Sequence, residues 1–346
     1  MTQPTPNATP NPGFRRLAVG AVVATLALIA LGGAVRATDS GLACPTWPGC
    51  FSAGDFVPPA DLNVWLEHSH RLVAIGVGLL IAWLTLWVLL RFRHRRDLLW
   101  PTLAAAVSVN VQAVLGAFVV WRWLEAWLVT AHLTLALLIL ATMIAVAVNA
   151  SHPRPTRAVS RTLDLGPGRA ASAVATFALL QIAVGGQVTG VGAGLAYRLS
   201  GFPLMDGALF PSLVEATSRE LYHATHRALG FVLLLAVAWL WWRAARDRAQ
   251  RRDAGSWEGR HEWLVRLPAL ATGLVAAQIG IGVANIATEL SWLSVIPHLT
   301  VASWIYAVLF LQTMLAYRWA GPDRARTGRT APDPAAVAGA DPEAFR

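Results

Sequence analysis

Residues 124–149 read LEAWLVTAHLTLALLILATMIAVAVN. Past Glu125 the run holds no charged side chain, and about 20 apolar residues suffice for a helix to cross the hydrocarbon of a bilayer. One polar interruption stands out, His132, about two turns into the run. An ionisable side chain inside a membrane is costly, so it marks a functional position by default. The stretch predicts a membrane helix that carries a working imidazole.

Seven further runs of this kind flank it, at 14–36, 66–90, 98–121, 170–192, 219–242, 264–288 and 292–317. Composition agrees: 55% hydrophobic against 14% charged residues excludes an ordinary soluble domain. The formal charge of +9 is carried by arginine alone, because the chain has no lysine. A basic balance suits nucleic acid, but these arginines cluster between the apolar runs, at 15–16, 91–96, 154–169, 243–266 and from 318 onward. That is the positive-inside pattern, so no nucleic-acid partner is expected. It puts those segments and both termini in the cytoplasm, with 37–65, 122–124, 193–218 and 289–292 outside. The expected setting is the lipid of the cell (plasma) membrane, crossed several times. The first run follows an arginine pair as a signal peptide would, but it is long enough to span and is read as a retained helix. Residues 1–13 and 319–346, rich in Pro, Gly, Ala and charge, are read as mobile tails.

The chain repeats itself. GGAVRATDSGLA at 32–43 matches GGQVTGVGAGLA at 185–196, an offset of 153. His70 and Arg71 recur as His226 and Arg227 at an offset of 156. Gln112, Gly116, His132, Leu133, Thr134 and Ala136 recur as Gln278, Gly282, His298, Leu299, Thr300 and Ala302 at an offset of 166. Three blocks in order imply a tandem duplication with helices in the same orientation. The expected fold is therefore an all-α integral membrane protein of eight transmembrane helices in two pseudo-symmetric four-helix bundles. These are residues 14–149 and 170–318, joined by a cytoplasmic linker at 150–169.

Four histidines fall inside these spans: His70, His132, His226 and His298. Each lies early in an even-numbered helix running from outside to inside, hence toward the outer leaflet. Two per half can face each other across a bundle core. That suits an iron porphyrin, which is flat and apolar and takes one imidazole on each face. Zinc would want further cysteine or carboxylate ligands, and the CxxC and HExxH spacings are absent. Any one histidine alone could instead be a satisfied interhelical hydrogen bond.

The halves differ beside the ligand. Glu67-His68-Ser69-His70-Arg71 in the first becomes His223-Ala224-Thr225-His226-Arg227 in the second. One helical turn before the ligand, a carboxylate in one half is an imidazole in the other. A carboxylate can accept a proton or stabilise a developing cation, which assigns chemistry to the N-terminal half and electron transfer or structure to the C-terminal half. The plainer alternative is that Glu67 pairs with Arg71 at i, i+4. Arg71 and Arg227 suit haem propionates, or simply snorkel to the interface. His68 and His223 are either hydrogen-bond donors beside the ligands or interfacial polar residues. His94, His152 and His261 lie in basic cytoplasmic segments and are read as solvated.

Both cysteines lie in one external loop, CPTWPGC at 44–50. An oxidising exterior permits a Cys44–Cys50 disulfide, with Pro45, Pro48 and Gly49 turning the chain back. It could be structural or could exchange with a thiol partner. The second half has no such pair.

Together these residues resemble the haem A synthase (CtaA/Cox15) family. The resemblance rests on E-x-x-H-R at 67–71, His-Arg at 226–227, His132 and His298 each followed by Leu-Thr, the glycine pairs, the cysteine pair and FPLMDG at 202–207, and covers about residues 14–318. The cysteine-bearing loop looks like the bacterial form and FPLMDG is similar to the mitochondrial-like form. The resemblance implies an oxidoreductase that converts the C8 methyl of haem O to the formyl of haem A for aa3-type cytochrome oxidases. It implies His226 and His298 as ligands of a haem b (iron) cofactor, His70 and His132 as ligands of substrate haem O, and Glu67 as the catalytic carboxylate. Two mechanisms stay open, successive hydroxylation or a carbocation trapped by water. A redox partner, an electron donor or acceptor, is needed, and haem O synthase and oxidase assembly factors are expected associates. The rival readings are a di-haem b electron-transfer subunit and a haem transporter or chaperone.

Overall fold

The computed structural model describes residues 10–44, 46–50, 59–151, 166–205, 207–212, 215–253, 255 and 259–319. Among them are eight helices long and apolar enough to cross a membrane. They are α1 (Pro12–Ala37), α2 (Leu62–Arg91), α3 (Arg96–Trp121), α4 (Ala126–Ser151), α5 (Gly166–Gly190), α6 (Ser218–Asp253), α7 (Trp263–Ala287) and α8 (Trp292–Trp319). The protein is thus an all-helical, multi-pass membrane protein. His152, most of the 150–169 linker and both tails, except residues 10–13 and Trp319, lie outside the described residues.

Caps explain where several helices begin. Asn11 accepts from the Phe14 amide with Pro12 just inside α1. Asp61 accepts from the Asn63 and Val64 amides. This cap starts α2 at Leu62, four residues before the apolar run begins to look like a span. Thr217 and Glu220 form a reciprocal capping box ahead of α6, the Glu220 carboxylate accepting from the Thr217 amide at 2.7 Å. At its other end α6 runs to Asp253, well past the expected boundary at 242. The segment beyond 242 is polar but made of good helix formers, with Asp247 and Arg251 paired at i, i+4, so the helix carries on to Asp253.

The helices close into two rings of four. Within α1–α4, each helix packs against its chain neighbour and α1 returns to α4; α5–α8 repeat this, with α5 returning to α8. The rings meet where α1 and α4 touch α8 and α4 touches α5. Three apolar clusters follow this plan: Phe14, Ile81, Leu84 and Met143 inside the first ring, Leu233, Val237, Val275 and Leu309 inside the second, and Ile29, Leu140, Ile144 and Tyr306 between them. Small residues allow the inter-ring approach, since lipid offers no hydrophobic drive between helices. A Cβ at Gly33 would stand 2.6 Å from Leu299, one at Gly186 2.9 Å from Thr130, and one at Gly190 2.5 Å from Ala126. Gln187 donates to the Thr130 hydroxyl at 2.9 Å across the same seam.

The odd-numbered helices end alike. Ser40, Leu124, Ala193 and Leu290 each donate a backbone N–H to the carbonyl five residues earlier, at 2.9, 2.9, 2.8 and 2.7 Å. This closing pattern needs a left-handed residue. Asp39 and Gly192 supply it at offset 153, and the pairs Trp123, Leu124 and Glu289, Leu290 at offset 166.

One expectation is corrected at the end of the molecule where α2, α4, α6 and α8 finish. His261 is not solvated: only 9% exposed, it sits edge-on to Trp319 with ring centroids 6.3 Å apart, because the short turn Gly259–Glu262 folds against the end of α8. Arg95 is also buried. It grips both oxygens of Asp97 and donates to the Asn149 carbonyl, while Asn149 donates to Asp97 and accepts from Arg318. That knot joins α3, α4 and α8.

Candidate functional site

The four histidines stand at matching places. His70 and His226 are the ninth residues of α2 and α6, and His132 and His298 the seventh of α4 and α8. Each rests its ring edge on a glycine of the preceding helix. A Cβ at Gly32 would stand 3.0 Å from His70 Cε1, at Gly116 3.2 Å from His132, at Gly185 2.8 Å from His226 and at Gly282 3.3 Å from His298. Each of these glycines lies five residues before the end of its helix. Any larger residue would push the imidazole away, so the glycine pairs and the repeated Gly116 and Gly282 serve as cradles.

Within each ring the two histidines occupy diagonal helices, and those of the second ring face each other across the middle. The His226 and His298 ring centroids are 6.3 Å apart with their planes at 65°. A metal–imidazole bond of about 2 Å on each side puts trans rings about 6 Å apart, so this pair has the spacing that a single iron between them requires. His132 lies within electrostatic reach of His70. Among the described residues the buried Nδ1 atoms of His70, His132 and His298 have no hydrogen-bond partner, whereas His226 Nδ1 lies 3.1 Å from Gln181 Nε2. Three of the four ring orientations therefore rest on steric support. Among the described residues no three of His, Cys, Asp and Glu gather as a metal site.

Beside each pair the first-half and second-half loops make related contacts. Cys44 and Cys50 form a disulfide, Cα atoms 4.5 Å apart. Glu67 is 3% exposed; its Oε2 accepts from the Cys44 amide at 2.7 Å and its Oε1 from Arg71 Nη2 at 2.5 Å. The i, i+4 pair therefore forms, in a buried place and with the loop as third member. Arg71 Nη1 donates to the carbonyls of Thr46 at 2.5 Å and Gly49 at 2.6 Å. In the second half Tyr197 stands where Cys44 does, by the same offset of 153. Its backbone nitrogen lies 3.2 Å from His223 Nδ1, and Arg227 Nε 3.1 Å from His223 Nε2. A neutral imidazole accepts at only one of these. Arg227 also donates to the Tyr197 carbonyl and lies over the rings of Tyr197 and Phe202, at 5.8 and 5.7 Å. The half that carries a carboxylate has a disulfide loop against it, and the half that carries an imidazole has an aromatic one.

His68 does not join either pair. It is half-buried against Trp65, on another face of α2. Reading the sequence missed Gln181, Thr130 and the role of Tyr197. Gln181 had a signal, a glutamine one turn before a glycine as at 112–116 and 278–282, but its counterpart in the first half is Leu28.

The family model described as "Cytochrome oxidase assembly protein", COX15-CtaA, matches residues 15–310. Among curated relatives, the "Heme A synthase" of Alkalihalophilus pseudofirmus is 27% identical over 311 residues, covering 88% of this chain and 98% of the relative. That of Mesorhizobium japonicum is 30% identical over 302 residues, covering 74% and 78%. That of Shouchella clausii is 29% identical over 312 residues, again covering 88% and 98%.

Proposed function

The chain belongs to the COX15-CtaA family of cytochrome oxidase assembly proteins, and from that premise we propose that it is a haem A synthase, oxidising the C8 methyl of haem O to the formyl of haem A for aa3-type cytochrome oxidases. Haem O is assigned to the first ring, between His70 and His132. A resident haem b is assigned to the second, between His226 and His298, whose spacing fits it. When bound, that haem supplies one-electron redox chemistry.

The observation that carries the reading is the change at one position within otherwise related surroundings, Glu67 in the first ring for His223 in the second. Glu67 is held at both oxygens, by Arg71 and by the Cys44 amide, so its charge is fixed in place before substrate arrives. A fixed carboxylate stabilises positive charge developing at the substrate carbon and accepts the proton leaving it. Arg71 is engaged by Glu67 and the loop carbonyls, so we give it the role of orienting Glu67 and the loop in place of reaching a propionate. Arg227 and His223 brace the second ring's loop in the corresponding place. His68 is assigned no part in the reaction. The termini and the arginine-rich segments are assigned to the cytoplasm of a plasma-membrane protein, with both haem sites toward the outer leaflet. Haem O synthase, oxidase assembly factors and an electron acceptor are the proposed associates.

The test is haem extraction and chromatography from cells expressing the chain together with a haem O synthase. Haem A should appear with the wild type and fall sharply with Glu67→Ala and with His70→Ala. Persistence of unaltered haem O beside a fully loaded wild-type protein would favour a di-haem electron carrier.

A further inference from the structure

Three of the four histidines share a contact made away from the imidazole. Gln112 of α3 donates through Nε2 to the backbone carbonyl of His132 at 2.9 Å, Gln181 of α5 to that of His226 at 2.8 Å, and Gln278 of α7 to that of His298 at 2.8 Å. Each glutamine lies one turn before the glycine that cradles the same histidine: Gln112 and Gly116, Gln181 and Gly185, Gln278 and Gly282. The spacing puts brace and cradle on one helical face. α1 departs from this, because residues 28–32 read LIALG. Leu28 stands one turn before Gly32, the cradle of His70, and packs into the apolar core of the first ring. A leucine has nothing to donate, and among the described residues no side chain donates to the His70 carbonyl.

The missing brace falls where turnover needs one. On the reading above, substrate haem must enter the first ring and product haem must leave it in every cycle, while the haem of the second ring stays. Two braced ligands suit a resident group; exchange needs one ligand that can withdraw with its turn of helix. We propose that the residue one turn before each cradle glycine sets whether the facing histidine is fixed or releasable, and that Leu28 makes His70 the axial ligand that lets go. The inference rests on the assignment of substrate haem to the first ring. A glutamine would fit at position 28. A Cβ built at Gly230 stands 3.6 Å from Gln181 Nε2, an ordinary contact, and the first-half counterpart of Gly230 is Ala74.

The experiment uses full-length protein in detergent with both sites loaded with haem B, and follows transfer to excess apomyoglobin by absorbance. Two phases are expected, and His70→Ala should remove the fast one while His226→Ala removes the slow one. A buried amide–carbonyl hydrogen bond contributes on the order of 1 kcal/mol, so Leu28→Gln should slow the fast phase about five- to tenfold. Gln181→Leu should accelerate the slow phase by a similar factor, and Gln112→Leu should accelerate the fast phase further. These rates belong to separate rings, so a general loss of stability would not move them in opposite directions. Unchanged rates in Leu28→Gln and Gln181→Leu would overturn the proposal. Loss of the slow phase in His70→Ala would overturn the site assignment, while a slowed first-ring phase in Leu28→Gln would still uphold the brace.

Discussion

At Gly185 a single added carbon would stand 2.8 Å from the His226 ring, closer than real side-chain carbons approach one another. Because the contact is the edge of the imidazole proposed as a haem ligand, Gly185→Ala should tilt His226 and lower the haem retained by the second ring on that proposal several-fold, read from the absorbance of the purified protein. Gly273→Ala, with nothing within 4 Å of its new carbon, should leave that absorbance unchanged. Arg71 makes a second residue-scale case. Removing it leaves the Glu67 carboxylate buried with its counter-charge gone, and a broken buried pair costs roughly 3–5 kcal/mol. Arg71→Ala should therefore lower the thermal midpoint markedly in detergent, far more than Arg36→Ala, whose partner Asp39 is 89% exposed. The histidines were legible because an imidazole in an apolar run is conspicuous, the more so when it repeats at a fixed offset. Gln181 was not, because the repeat that would have drawn attention to it fails at Leu28. Nor could spacing show that Glu67 faces the loop amide as well as Arg71, since that contact joins residues 23 apart through a fold not yet known.

Helix ends hold the next scale of information. The left-handed closures at the ends of α3 and α7 are made without glycine, and a non-glycine residue there costs about 1 kcal/mol. Glu289 is exposed, with φ near 50°, so Glu289→Gly should raise the thermal midpoint slightly by removing that cost. Leu290→Gly should not, although its φ is 65°, because the Leu290 side chain packs on Gly194 at contact distance. Hydropathy located all eight helices but not their polar ends. α2 starts early because Asp61 caps it, and α6 runs on because arginine, alanine and glutamine keep a helix going after the apolar residues stop. A hydropathy reading follows the lipid, whereas a helix follows its own hydrogen bonds.

For the whole molecule, the duplication visible in three sequence blocks has physical counterparts in the ring packing, the cradles and the helix closures. The seam between the rings was not visible, because it depends on which small residues meet, as Gly190 meets Ala126. The proposed orientation has a direct check. A cysteine placed at Leu209, which is 84% exposed, should react with a membrane-impermeant thiol reagent applied to intact spheroplasts. A cysteine at exposed Arg93 should react only after lysis. The reverse pattern would invert the molecule. On the proposed orientation and haem assignments, the common placement of the histidines has an electrical consequence. Both pairs sit the same number of residues from the starts of their helices, and on the parallel repeat that the sequence implies they share one depth. An electron passing from one to the other moves parallel to the membrane plane and does no work against the transmembrane potential, which otherwise amounts to about 2.3 kcal/mol per charge per 100 mV. Exchange between the two rings would proceed equally in energised and de-energised cells, leaving any voltage dependence to whatever carries the electrons onward.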